Sequence, residues 1–197
     1  MREFTVHTGV AAPLRRSDVD TDQIIPVRFL NHSARTGHAA SLFADWRTDP
    51  DFVLNRPEYR DATILVAGND FGTGSSREYA VWALLNYGFR AVVAPRFGDI
   101  FRGNALLNGL LAVTVGEDVV RRLWDLVERD PSTEVTVDLV RTRVRCGELT
   151  APFGIGDRER ARLLSGTDVI GATLEREAEI AAYERGRRPG LPTVRPA

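Results

Sequence analysis

Gly68-Asn69-Asp70-Phe71-Gly72-Thr73-Gly74-Ser75-Ser76-Arg77-Glu78-Tyr79 is the stretch on which the fold turns. The run ahead of it, Ala62-Thr63-Ile64-Leu65-Val66-Ala67, is short, apolar and β-branched, which predicts a buried strand. Behind it Ala80, Ala83, Leu84 and Tyr87 recur at helical spacing, and Gly88 follows as a stop. The unit reads strand, glycine loop, helix. Its glycines permit a tight turn and expose backbone N–H groups at a helix N-terminus, where partial positive charge collects. With two hydroxyls and a guanidinium at the same point, the unit suits an anion.

The residue types narrow which anion. A Walker loop requires a lysine after its last glycine, and all 26 basic residues of this chain are arginine. A dinucleotide fingerprint would place a third glycine where Arg77 stands. A carboxylate or phosphate, gripped bidentately by Arg77 with hydroxyls alongside, remains. Ser75-Ser76-Arg77-Glu78 also spells a capping box, with Ser75 as N-cap and Glu78 reaching back. A cap, however, needs one hydroxyl, no arginine and no cluster of glycines, and that excess weighs toward a site.

The chain has 197 residues, 43% apolar and 27% charged, enough for one sizeable domain. A net charge of −1 gives no field for nucleic acid or a membrane surface. No apolar run approaches the roughly 20 residues of a membrane span, and Met1-Arg2-Glu3-Phe4-Thr5-Val6 has no signal-like core, so a cytoplasmic protein is expected. The single cysteine, Cys146, excludes an internal disulfide and cannot by itself hold an iron–sulfur cluster; it reads as a small residue within a strand. Without lysine there is no Schiff-base chemistry.

Along the chain, residues 4–10 alternate as a strand, and Asp20-Thr21-Asp22 before Gln23-Ile24-Ile25-Pro26 reads as a helix start or turn, with too few ligands for calcium. From Val27 to Arg60 regular periodicity fades, as in a lid or binding loop, while Phe29, Leu30, Leu42, Phe43, Trp46 and Phe52 argue against disorder. His32 and His38 lack a third ligand and read as solvated loop histidines. Ala91-Val92-Val93-Ala94 predicts a second parallel strand, then come a helix over 100–108, a strand over 110–115 and an amphipathic helix over 117–129. Residues 134–139 and 142–146 predict an antiparallel hairpin with one wet face, followed by helices over 157–164 and 168–185. The expected architecture is a single α/β domain over 1–185 with a mostly parallel central sheet, a C-terminal hairpin and flanking helices; 186–197 reads as a disordered tail.

Gly-Thr-Gly-Ser-Ser-Arg-Glu at 72–78, Asp20-Thr21-Asp22-Gln23-Ile24-Ile25-Pro26 upstream and Phe97-Gly98-Asp99-Ile100-Phe101-Arg102-Gly103-Asn104 downstream resemble the small subunits of 3-isopropylmalate dehydratases. These correspond to the swivelling fourth domain of aconitase, a β/β/α fold. The resemblance implies dehydration of 2-isopropylmalate and its rehydration to 3-isopropylmalate, in leucine biosynthesis. It also implies that the chain binds no cofactor itself, a [4Fe–4S] cluster residing in a partner large subunit, within a heterodimer or heterotetramer. Ser75 matches the family's base and Asp22 an acid paired with a histidine of the large subunit. Ser76 and Arg77 would hold a substrate carboxylate, with Gly74 shaping the loop. Arg35 stands where a second carboxylate-binding arginine is expected, with Arg28 as a substitute, and Phe29 and Leu30 could pack on an isopropyl group. Gly103 stands where the family pattern has asparagine, a departure expected to touch helix packing and to leave the chemistry unaffected. A related hydroxy-diacid dehydratase of homoaconitase or citramalate type, and a stand-alone anion-binding or regulatory module, are the alternatives.

Overall fold

A computed structural model describes residues 1–30, 34–75 and 77–187, so the expectations for His32, Ser76 and most of the tail lie outside the described residues. The chain divides into a unit spanning Met1–Gly166 and another spanning Thr167–Ala197. In the first, seven strands form one sheet in the order β4-β3-β2-β1-β5-β6-β7.

Strand β1 (Val6–Leu14) joins two kinds of pairing. Its first half, Val6 to Val10, pairs antiparallel with β5 (Glu134–Asp138), whereas Ala11 to Leu14 pair parallel with β2 (Ile64–Ala67). The change of pairing coincides with a change of environment: the first half is partly exposed, and the last four residues are buried. The parallel side continues through β3 (Ala91–Ala94) to β4 (Leu111–Thr114). β2 and β3 are buried at every residue, as expected of parallel strands with both faces covered.

Helices supply that cover. α2 (Glu78–Tyr87) joins β2 to β3, and α3 (Asp99–Asn108) joins β3 to β4. Gly88 at φ 124° and Gly109 at φ 86° end them, conformations that glycine adopts without strain. α4 (Glu117–Arg129) buries Val120, Leu123 and Val127 on β1, β2 and β3, and its Trp124 indole donates to the Val66 carbonyl at 2.8 Å.

On the other side of β1, β5 leads to β6 (Arg143–Cys146) and β7 (Leu149–Pro152), all antiparallel, with β6 and β7 alternately buried. The expected hairpin thus has a third strand, turned at Gly147-Glu148 with Gly147 at φ 53°. Leu149-Thr150-Ala151-Pro152 carries a weak strand pattern because it is short, edge-lying and closed by proline.

The region expected to be irregular is a chain of 3₁₀ turns at Val27–Phe29, Ala39–Ser41, Trp46–Thr48, Val53–Asn55 and Pro57–Tyr59. Leu42, Phe43, Phe52, Leu54 and Tyr59 bury themselves in the main core, and the Tyr59 hydroxyl donates to the Val127 carbonyl at 3.0 Å. Ordered side chains hold what the backbone pattern does not. His38 departs from the expectation of a solvated loop residue: it is 0% exposed and packed against the rings of both Tyr79 and Trp82. Gly103 departs too, because a Cβ there would meet nothing within 4 Å, so it faces open space rather than a helix contact.

α5 (Asp157–Ser165) completes the first unit, closed by Gly166 at φ 68°, whose carbonyl accepts from the Met1 ammonium at 2.8 Å. In the second unit the single helix expected over 168–185 is two. These are α6 (Val169–Leu174), capped by the Asp168 carboxylate on the Gly171 N–H, and α7 (Glu177–Arg185).

Candidate active site

Three sequence motifs, distant along the chain, converge at the glycine loop. Beneath it lie Phe71, Phe97 and Phe101, with Phe71 edge-on to Phe101 at 5.4 Å and Phe97 stacked on Phe101 at 6.3 Å. Phe71 and Phe97 are also bridged through backbone: the Phe71 N–H donates to Arg96 O at 3.1 Å, and the Gly98 N–H to Phe71 O at 2.9 Å. Two glycines are required by close approach. A Cβ on Gly72, at φ 79°, would lie 2.2 Å from Phe101 Cγ, and one on Gly98 would lie 2.4 Å from the Gly72 carbonyl oxygen. The 97–104 motif therefore serves as the floor of the loop.

The 20–26 motif forms its side. Asp20 caps α1 (Thr21–Ile24) in a full capping box, its carboxylate accepting from the Gln23 N–H at 2.8 Å and the Gln23 side chain accepting from the Asp20 N–H at 2.9 Å. A capping box is thus found at Asp20, whereas the competing reading of Ser75 as a cap finds no support among the described residues: α2 starts at Glu78, with Arg77 at the N-cap position and no side-chain cap bond. Asp20 bridges to Thr73, and the Thr21 N–H donates to Thr73 O at 3.0 Å. The Val19 carbonyl accepts from both Gly72 N–H at 2.7 Å and Thr73 N–H at 3.2 Å. Those two amides, expected to be open to an anion, are occupied in holding the loop.

Ser75 stands exposed at the end of this turn, after Gly74 at φ 84°. Arg77, its side chain 25% exposed, forms an ion pair with Asp22 on α1. The structure so brings Asp22, from a separate stretch of sequence, to the stretch that carries Gly74, Ser75 and Arg77. Arg77 and Asp22 are both accessible, so a carboxylate ligand could compete for the guanidinium with Asp22, whose own carboxylate has the same chemistry.

The two candidate second arginines differ. Arg28 lies over the Phe29 ring at 4.7 Å and is paired with Asp45, whose carboxyl it holds below the usual range through a side-chain hydrogen bond. Arg35 is exposed, stands over Trp82 at 5.8 Å and has no acidic partner among the described residues. Phe29 and Leu30 are half-buried and pack on this chain's own core. Sequence reasoning missed Asn86, whose amide reaches the Arg35 and His38 backbone, and the Tyr79–Trp82 pair below His38. The only signal for these was the spacing of 79, 82 and 86, which puts them on one face of α2.

Cys146 is buried on β6, where desolvation pushes its thiol pKa up, and among the described residues no three His, Cys, Asp or Glu side chains converge on a point.

The parallel-and-antiparallel sheet, with its glycine loop set between two backbone braces, defines an aconitase-type domain. The family of the aconitase C-terminal domain matches residues 1–118, and that of the C-terminal domain of the 3-isopropylmalate dehydratase small subunit matches residues 170–193. The chain is 59% identical to the 3-isopropylmalate dehydratase small subunit of Thermobifida fusca, over 98% of this chain and 100% of that protein. It is 57% identical to that of Micrococcus luteus, over 100% of this chain and 98% of the relative. A solved structure of 3-isopropylmalate dehydratase from Methanocaldococcus jannaschii superposes with a TM-score of 0.66 at 26% identity, covering 91% of this chain and 99% of the other. The chain belongs to the family of 3-isopropylmalate dehydratase small subunits.

Proposed function

We propose that the loop carrying Ser75, with Arg77 and Asp22, forms one wall of an active site, the rest of which comes from a large subunit. The chain's role is that of the small subunit of 3-isopropylmalate dehydratase, a hydro-lyase of leucine biosynthesis, and the naming of its relatives as small subunits implies a large one. In this reading the assembly is a heterodimer or a multiple of it, the setting is cytoplasmic, and the working domain runs over 1–185.

The reaction removes water from 2-isopropylmalate and adds it back with opposite regiochemistry, so a proton must leave carbon as the neighbouring hydroxyl departs. Ser75 Oγ is the base in this reading. A serine hydroxyl is too weak an acid to ionise near neutrality, so its oxyanion needs nearby positive charge, which Arg77 and the start of α2 supply. Arg77 binds a substrate carboxylate bidentately, worth about 1.5–3 kcal/mol for a charge-assisted bond. As that carboxylate takes the guanidinium, Asp22 is released to pair with a histidine of the large subunit. Ser76 adds a hydroxyl to the same carboxylate. Arg35 clamps the other one, and Phe29 and Leu30 border the alkyl group. The [4Fe–4S] cluster that the family implies is assigned to the large subunit, where it would supply the Lewis acidity for the departing hydroxyl; the donor set of this chain supports that assignment.

The observation that carries this reading is the Arg77–Asp22 pair, which joins two motifs directly beside an exposed serine. The test is co-expression with the large subunit, followed by turnover of 3-isopropylmalate against homocitrate and citramalate. Ser75→Ala is expected to keep the fold and the partner while turnover falls by roughly 10²–10⁴. Turnover within a fewfold of the unsubstituted protein would remove Ser75 from the chemistry, and preference for homocitrate would move the substrate to the related class.

A further inference from the structure

We propose that Asn86, with His38, is a positioning residue that fixes Arg35 from the helix that follows the loop carrying Ser75 and Arg77. The inference deepens the reading of Arg35 as a carboxylate clamp and rests on it. Asn86 is half-buried on α2, and its side-chain amide uses both ends on the facing loop. Nδ2 donates to the Arg35 carbonyl at 3.1 Å, and Oδ1 accepts from the His38 N–H at 3.0 Å. Only one orientation of the amide satisfies both, since the reverse would face donor to donor and acceptor to acceptor.

His38 fastens the same turn a second way. Its buried ring sits edge-on to Tyr79 at 5.4 Å and stacks on Trp82 at 6.0 Å, with Nε2 2.8 Å from the Ala34 carbonyl. A carbonyl only accepts, so Nε2 carries the proton. Residues 34, 35 and 38 are thereby tied to one face of α2, made of Tyr79, Trp82 and Asn86 at i, i+3 and i+7. The Arg35 guanidinium stands over the Trp82 ring of that same face.

An arginine on an untied loop must be ordered when the ligand binds, at about 1–2 kcal/mol per residue fixed. Tying the loop beforehand removes that term from binding and leaves proton transfer alone. The signature of the tie is therefore a change in KM with little change in kcat.

The test uses the complex with the large subunit and four variants. Asn86→Leu is expected to raise KM for 3-isopropylmalate ~10-fold with kcat within about threefold. Asn86→Asp, which keeps the acceptor for the His38 N–H and loses the donor to Arg35, should recover part of that loss. His38→Phe, which keeps the ring and loses the Nε2 bond, should raise KM less than Asn86→Leu. In an Arg35→Ala background, Asn86→Leu should add less than about twofold, because it acts through a residue no longer there. The proposal is overturned if Asn86→Leu leaves KM unchanged while Arg35→Ala raises it, if the two effects multiply, or if kcat falls as far as kcat/KM. If Arg35→Ala itself leaves KM unchanged, the clamp reading fails and this inference falls with it.

Discussion

Thr21 sits in the centre of the 20–26 motif, is fully buried and, among the described residues, has no hydrogen-bond partner for its hydroxyl. An unpaired buried hydroxyl costs about 1–3 kcal/mol, and valine has nearly the same shape without that group. Thr21→Val should therefore raise the urea midpoint, a gain of about 1 kcal/mol by linear extrapolation, and a lower midpoint would mean the hydroxyl has a partner in solution. His7 illustrates the titratable side. Its Nε2 lies 2.8 Å from Thr63 Oγ1, and Gly9 makes the room, since a Cβ there would stand 2.3 Å from that same oxygen. Burial, then the charges of Arg90 and Arg2, lower the His7 pKa below its ordinary 6.5. The unfolded chain binds the proton more readily, so this contribution is fully present above about pH 6.5 and is lost as pH falls through the lower folded value. Thermal unfolding followed between about pH 7.5 and 5 should fall more steeply for the unsubstituted protein than for His7→Gln. Parallel curves would contradict the sign.

Among elements, the glycine loop and α3 act as one piece, and two glycines there should respond in opposite directions. Gly72→Ala drives a methyl into the Phe101 ring at a positive φ, so a loss of roughly 2–5 kcal/mol is expected in denaturant unfolding. Gly103, on the open face of α3, has nothing to collide with, and Gly103→Ala should gain about 0.5–1 kcal/mol from helix propensity. A destabilised Gly103→Ala would indicate a contact absent from this chain alone. The strand–loop–helix unit was legible because burial on both faces leaves an uninterrupted apolar run and glycine marks the stops, at Gly88 and Gly109. The start of α2 was not, because Ser75-Ser76-Arg77-Glu78 fits a capping box locally, whereas the helix begins only at Glu78. β7 escaped notice for a related reason: an edge strand needs only a partner, and β6 supplies it.

For the whole molecule, the proposed site is one wall of a shared one. Ser75, Arg77 and Asp22 lie exposed on one unit whose core is otherwise closed, and no helix among the described residues is long and apolar enough to cross a membrane. The chain alone is expected to give no turnover of 3-isopropylmalate, and titration with the large subunit should restore it to a plateau at a fixed ratio. Activity without the large subunit would overturn the division of roles. The sequence by itself determined the class of fold, the succession of parallel strands and helices along the chain and the residues that carry charge and hydroxyl, because periodicity and glycine placement are local properties. Only the tertiary structure decided that Arg77 meets Asp22, that the loop amides of Gly72 and Thr73 are spent on Val19, and that His38 is buried. Each of these is a contact between segments far apart in the chain, set by which surfaces the sheet and helices bring face to face, and no local pattern encodes that.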